Sequence, residues 1–581
     1  MDNQRNIIVA VVLCLALMLG FDLVMGQLYP QPAPSERVTT QADTPTQQVA
    51  IEGGAAAVAA QRRDLATALA SGERIAIDAP EVAGSINPVG ARVDDIVLKS
   101  HRQTVDEDSG PVRLFSPDGT PAQQFAQFGW VGEGVRLPDA QTVWQTDGGP
   151  LAPDRPVTLT WDNGEGQLFT LRFAVDEFYM VTVDQTVANT GPGSIALRPY
   201  AFINRTSRTA DDDTFNVHSG PIGLFAGAVN FDWDYDDVDD EGPVAPGTTG
   251  WIGFTDIYWL SALIPDDAAR AEGNFRALGN RFYRADLLYD PVTVPAGRQV
   301  TQTTRLFAGA KESTVLDHYE EAGVSNFGLA IDWGWFRWFM YPIFWLLKQL
   351  YDLTQNFGVA IILLTVVVRA VLFPIAQKQF ASMAQMRAVQ PKMKALQDRY
   401  KDDKPRLQQE MAKLYKEEKV NPLAGCLPIF LQIPIFFALY KVLLIAIEMR
   451  HKPFVLWIKD LSAQDPATIL NLFGLLPFTP PSFLAIGVLA VLLGLTMWLQ
   501  FKLNPAPMDP IQQQVFMIMP WMLMFVMAPF AAGLLLYWIT SNILTLAQQK
   551  YLYSKHPQLK AQAEKEAADK AKAAEREKEK G

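Results

Sequence analysis

Two kinds of hydrophobic patterning divide this chain. From about residue 75 to 310, short segments such as "LFTLRFAV" and "FYMVTVDQTVANTG" alternate apolar and polar positions and are bounded by Gly, Pro, Asn and Asp. Period-two alternation with frequent turn residues predicts half-buried strands, and so an antiparallel all-β sandwich. Beyond about 330 the apolar runs lengthen and lose the alternation, at about 356–375, 424–446, 483–501, 513–529 and 531–550. A further run, "IIVAVVLCLALMLGFDLVM" at 7–25, is long enough to cross hydrocarbon at about 1.5 Å per residue. Six candidate transmembrane helices result.

The segments between these runs complete the organisation. The first run reads as a cleaved signal peptide or an uncleaved anchor; its length, and the lack of a small-x-small site around "VMGQLYP", favour an anchor at 1–26. Residues 27–74, rich first in Pro, Thr and Gln and then in Ala and Gly, form a flexible tether. The β domain occupies 75–325, with a helical pattern from 311. At 332–351, "DWGWFRWFMYPIFWLLKQLY" crowds Trp333, Trp335, Trp338, Tyr341 and Trp345 around few charges. Asp332, Arg337, Pro342 and Lys348 argue against another span, so 326–355 is expected to be an amphipathic helix lying at the outer membrane surface. An insertion of polar sequence at 377–420 interrupts the helical core, 356–553, and 554–581 form a Lys-rich tail. The Pro-rich segment 467–482 reads as an outside loop or a helix extension.

Charge orients the chain. Residues 27–330 carry about 21 Lys and Arg against about 42 Asp and Glu, more acidic than the −12 of the whole, so the remainder is net basic. Between the second and third spans, 377–422 hold about 11 basic and 6 acidic residues, which places this segment in the cytoplasm. By alternation both termini are cytoplasmic and the β domain lies outside. In the same segment Phe380, Met383, Met386, Met393, Leu396 and Tyr400, then Leu407, Met411 and Leu414, recur at spacings of three and four, predicting a helical hairpin. The stripe is either the seam of that hairpin or, since thioethers adapt to many shapes, a surface that accepts varied sequences.

Several chemistries are excluded. Cys14 and Cys426 lie in separate apolar runs, five scattered histidines show no ligand spacing, and no GxxxxGK[ST] is present, so no cofactor, metal or nucleotide is expected. The acidic run "DWDYDDVDDEG" at 232–242 lacks the spacing of a calcium loop and reads as solvated. Neither GxSG nor paired aspartates occur in the spans, which removes intramembrane proteolysis, and coupling carboxylates of a transporter are missing as well. What remains is Arg369, in "IILLTVVVRAVLFP". A central arginine disfavours insertion by about 2.5–3.5 kcal/mol. Either the side chain snorkels to the cytoplasm or it faces a wet cavity. Thr365 on the same helical face, Gln432 in the third span, and Ser541 and Asn542 in the last could line that cavity; no Asp or Glu falls within the last five runs.

"VNPLAGCLPIFLQIPIFFALY" at 420–440, together with "TVVVRAVLFPIAQKQFASMAQMRAVQPKMKAL", "FVLWIKDLSAQDP", "DPIQQQVFMIMP" and "GLLLYWITSN", resembles the YidC-type membrane protein insertases over about 330–553. That resemblance implies a multi-domain membrane protein: a periplasmic β-supersandwich, a five-helix core enclosing a hydrophilic groove open to cytoplasm and lipid, Arg369 as the functional charge, and a mobile client-receiving hairpin. It further implies a chaperone of nascent inner-membrane proteins, not an enzyme, acting in the bilayer with the Sec translocon and ribosome as partners and with neither a small-molecule substrate nor sequence-specific nucleic acid. Gram-negative members carry two successive tyrosines in the last span; here Tyr537 is followed by Trp538, which keeps the aromatic face and lacks the hydroxyl. The rival reading is a solute transporter or channel.

Overall fold

The computed structural model describes residues 64–555 apart from 107, 212–216, 241–246, 267–269, 401–402, 419–426, 473–475, 477–485 and 504–509. The expected first span, most of the tether and the Lys-rich tail therefore lie outside the described residues.

Alternation becomes a sandwich for a visible reason. Along Gln167–Val175, Phe169, Leu171 and Phe173 are fully buried while Leu168 and Arg172 point outward. Their burial faces them toward a second sheet, where Phe128 meets Phe173 at 6.2 Å and Trp130 meets Phe169 at 5.1 Å, both edge to face. Burying each such ring contributes about 1.5–3 kcal/mol. Among the described residues there are two nine-stranded sheets whose strand pairings are antiparallel. One is built on Gln124–Gly132 beside Ile195–Thr206, the other on Met180–Asn189 beside Arg298–Ala310.

Helices follow the sandwich. Helix α1, Ser313–Glu321, leaves the last strand, and α2, Arg337–Thr354, buries Met340, Phe344 and Leu347 on one face while Trp338 and Trp345 remain 71% and 56% exposed on the other. Trp333, just ahead of the helix, is buried against Tyr341 and Phe344. Asn356 caps α3, Phe357–Val371, by accepting from Val359 N. That helix stops at Leu372, because Pro374 has no N–H to give and would clash with the carbonyl four residues back; placed in a first turn, the same proline starts α4, Phe373–Arg399. The polar helix thus begins at once rather than near 377. Helix α5, Lys404–Glu417, packs on α4 through Val389, Met393 and Leu414, with Leu396, Met411 and Tyr415 alongside. Met393 and Met411 belong to this seam; the side chains of Met383 and Met386 lie outside the description.

Four more helices complete the bundle: α6, Leu427–Ile445; α7, Val488–Leu503; α8, Pro510–Met527; and α9, Ala532–Lys555. Helix α3 packs on α2 and α9, α6 on α2, and α7 on α8 and α9. Among the described residues no helix is both long and apolar enough to cross a membrane. Helix α3 ends after 15 residues, about 22 Å, and α9 has the length but turns polar at Gln548, Gln549 and Lys550.

Candidate functional site: a cation held by hydroxyl and amide groups

Helix α9 presents Tyr537 and Ser541 one turn apart, on one face. Arg369, near the end of α3, donates from Nη2 to Ser541 Oγ. Gln432 of α6 donates from Nε2 to Tyr537 Oη at 2.6 Å. Tyr537 and Ser541 are buried; Arg369 and Gln432 are half-buried. Three helices therefore converge on one polar patch in otherwise apolar surroundings. The guanidinium carries five N–H donors and a fixed charge, whereas its bonded neighbour is a neutral hydroxyl that cannot balance it.

The remaining expected members go elsewhere. Thr365 shares a face with Arg369 but is fully buried, and its hydroxyl donates to Ile361 O at 2.7 Å. A helical threonine readily bonds the carbonyl one turn back, so sharing a face did not carry it into the polar patch. Asn542, about 100° around α9 from Ser541, donates to Thr496 Oγ1 of α7 at 3.1 Å. Trp538 packs edge to face on Phe436 at 5.0 Å.

A second charged cluster joins the sandwich to the bundle. Lys441 of α6 reaches Asp332 at 3.1 Å, and Asp332 also accepts from His218 N at 3.2 Å and Gly334 N at 2.9 Å. Behind it Lys311 Nζ, buried, donates to Thr255 Oγ1 at 2.9 Å, and burial pushes its ammonium down to about 8. Arg450 donates to the carbonyls of Arg102 and Gln103 at 2.8 and 3.1 Å and lies over the Trp259 ring. Glu448 accepts from Ser313 N and Oγ at 2.9 and 2.7 Å. Burial disfavours the Glu312 carboxylate, yet hydrogen bonds from His101 and Tyr179 outweigh it and hold its pKa below the usual range. Sequence offered a signal for Lys441, a charge inside an apolar run like Arg369, but nothing that paired it with Asp332. Among the described residues no group of three or more His, Cys, Asp or Glu could hold a metal.

Comparison with known proteins identifies the family. Residues 74–346 match the YidC periplasmic domain and 349–560 the 60Kd inner membrane protein family. The membrane protein insertase YidC of Zymomonas mobilis subsp. mobilis is 44% identical over 560 residues, covering 95% of this chain and 96% of its own. The chain belongs to the YidC family of membrane protein insertases. The YidC of Bradyrhizobium diazoefficiens is 45% identical over 509 residues, covering 84% of this chain and 82% of its own. An active YidC insertase crystal structure with the first transmembrane domain resolved is similar at 19% identity and a TM-score of 0.37, over 82% of this chain and 92% of that one; at that score it adds nothing to the sequence match. Membership makes this YidC-family chain an insertase of the bacterial inner membrane with an all-β periplasmic domain, and not an enzyme.

Proposed function

We propose that Arg369, Gln432, Tyr537 and Ser541 line a hydrated groove, open to cytoplasm and lipid and blind on the outer side, through which the insertase lowers the barrier for a client's outer segment. The observation that supports this reading most is the Arg369 guanidinium, bonded to a hydroxyl rather than a carboxylate. Partitioning a client's apolar helix is favourable by about 0.3–0.6 kcal/mol per strongly apolar residue, so no nucleotide is needed. The obstacle is carrying polar termini across hydrocarbon. Water in the groove shortens the dry path, and Arg369 holds client acids in transit. The membrane potential then favours outward movement of negative charge by about 2.3 kcal/mol per charge per 100 mV. Trp538 and Phe436 offer an aromatic edge along which the client helix leaves.

On this reading the six apolar runs cross the membrane, with both termini cytoplasmic, and the α4–α5 hairpin receives clients from the ribosome, alone or beside the Sec translocon. A photo-crosslinker at Gln432 or Trp538 is expected to capture a stalled nascent chain, while one at the exposed Leu168 of the β domain is not. Equal capture at all three positions, or none at the first two, contradicts the groove. Solute flux through purified protein in liposomes, with no client captured, would assign a channel instead.

A further inference from the structure

The segment "FVLWIKDLSAQDP" binds the outer helix ends together. Phe454 O accepts from Asn356 Nδ2 at 3.2 Å ahead of α3, and its ring lies where a Cβ on Gly358 would meet it at 2.0 Å. Gln464 Nε2 donates to Ala528 O, just past α8, at 3.1 Å. Ala532 N and Gly533 N, the first donors of α9, reach Ala463 O and Leu461 O at 2.8 and 2.9 Å. Val488 N, at the start of α7, donates to Ala467 O at 3.0 Å. Four of the bundle's helices are thus fastened by fourteen consecutive residues, 454–467.

One side chain holds that segment in place. Asp465 is 1% exposed, and three donors converge on it: Trp457 Nε1 at 2.9 Å and Ala467 N at 3.0 Å on Oδ1, Leu489 N at 2.8 Å on Oδ2. Its Cβ and carboxylate lie against Gly487, where any Cβ would come within 2.7 Å. A carboxylate accepts at both oxygens; an amide accepts at one and sets its NH2 against a donor. A negative charge also suits the N-terminal end of α7.

We propose that segment 454–466 is the stopper closing the outer end of the groove, and that Asp465 is the residue positioning it. This rests on the reading above that the groove is blind outward. Replacing the carboxylate by an amide leaves either the Leu489 donor or the Trp457 and Ala467 donors facing an NH2 group, which loosens the fastening of α7 and α9 and opens a polar path from the outer side to Gln432.

The test uses the full chain in oriented vesicles, with Cys14→Ser, Cys426→Ser and a Gln432→Cys reporter, treated from either side with a membrane-impermeant maleimide. The parent is expected to label from the inner side alone. Asp465→Asn is expected to raise outer-side labelling several-fold while inner-side labelling, which reports an intact groove, is unchanged. Outer-side labelling as low as the parent's, with inner-side labelling retained, overturns the proposal. Should Asp465→Asn fail to accumulate, Trp457→Phe, which removes one donor and keeps an aromatic ring, is read by the same two outcomes. Labelling of the parent from outside would instead overturn the blind groove itself.

Discussion

Lys441 and Arg369 each lie inside an apolar run of the helical region, and their partners differ. Lys441, 5% exposed on α6, meets the Asp332 carboxylate, which is itself held by two backbone N–H groups. Arg369 on α3 meets Ser541. The first charge is neutralised at the junction with the β domain and serves as a fastening. Among the described residues the second meets a hydroxyl and no carboxylate, which leaves its attraction for an anion in place. Within the sandwich Arg205 follows the first pattern, reaching both oxygens of Asp256 at 2.6 and 2.7 Å. A buried charge paired with its carboxylate acts as a fastening; one facing a neutral hydroxyl retains its attraction for an anion.

Breaking the pairs should separate the two roles. Asp332→Ala leaves Lys441 buried without its counter-ion and is expected to destabilise the protein by about 3–5 kcal/mol in denaturant unfolding, whereas the double replacement Asp332→Leu, Lys441→Met recovers most of that loss. Arg369→Met is expected to leave unfolding within about 1 kcal/mol of the parent, since it removes an unbalanced charge, while insertion of acidic clients falls. Asn356→Ala removes both the cap of α3 and the bond to Phe454 O and should cost about 1–2 kcal/mol. Two further tests read pH dependence. Lys311 releases its proton at about 8 when folded and near 10.5 when unfolded, so stability should rise with pH across that window, and Lys311→Met should flatten the rise. Glu312, held low, contributes fully above the usual carboxylate value and loses its contribution as pH falls through the lowered one; Glu312→Gln should remove that acid sensitivity.

The sandwich was legible because its strands need one apolar face, a requirement written residue by residue in segments such as Gln167–Val175. Arg369 was legible because a charge in an apolar run has few explanations. Local rotation and competing bonds hid the rest. Ser541 and Asn542 are neighbours in sequence, yet only the first turns toward Arg369. Thr365 has the right spacing and a hydroxyl that bonds its own helix. Pairings such as Lys441 with Asp332 or Asp465 with Leu489 span long stretches of chain, and no periodicity encodes them.

The proposed role of Arg369 is to hold a client's acids in transit. Two otherwise identical clients, one with Asp and Glu in its outer segment and one with Asn and Gln, should be inserted by the parent and by Arg369→Ala in reconstituted vesicles. Loss of insertion confined to the acidic client is expected if Arg369 holds those acids in transit. An equal loss for both, or none for either, would contradict it.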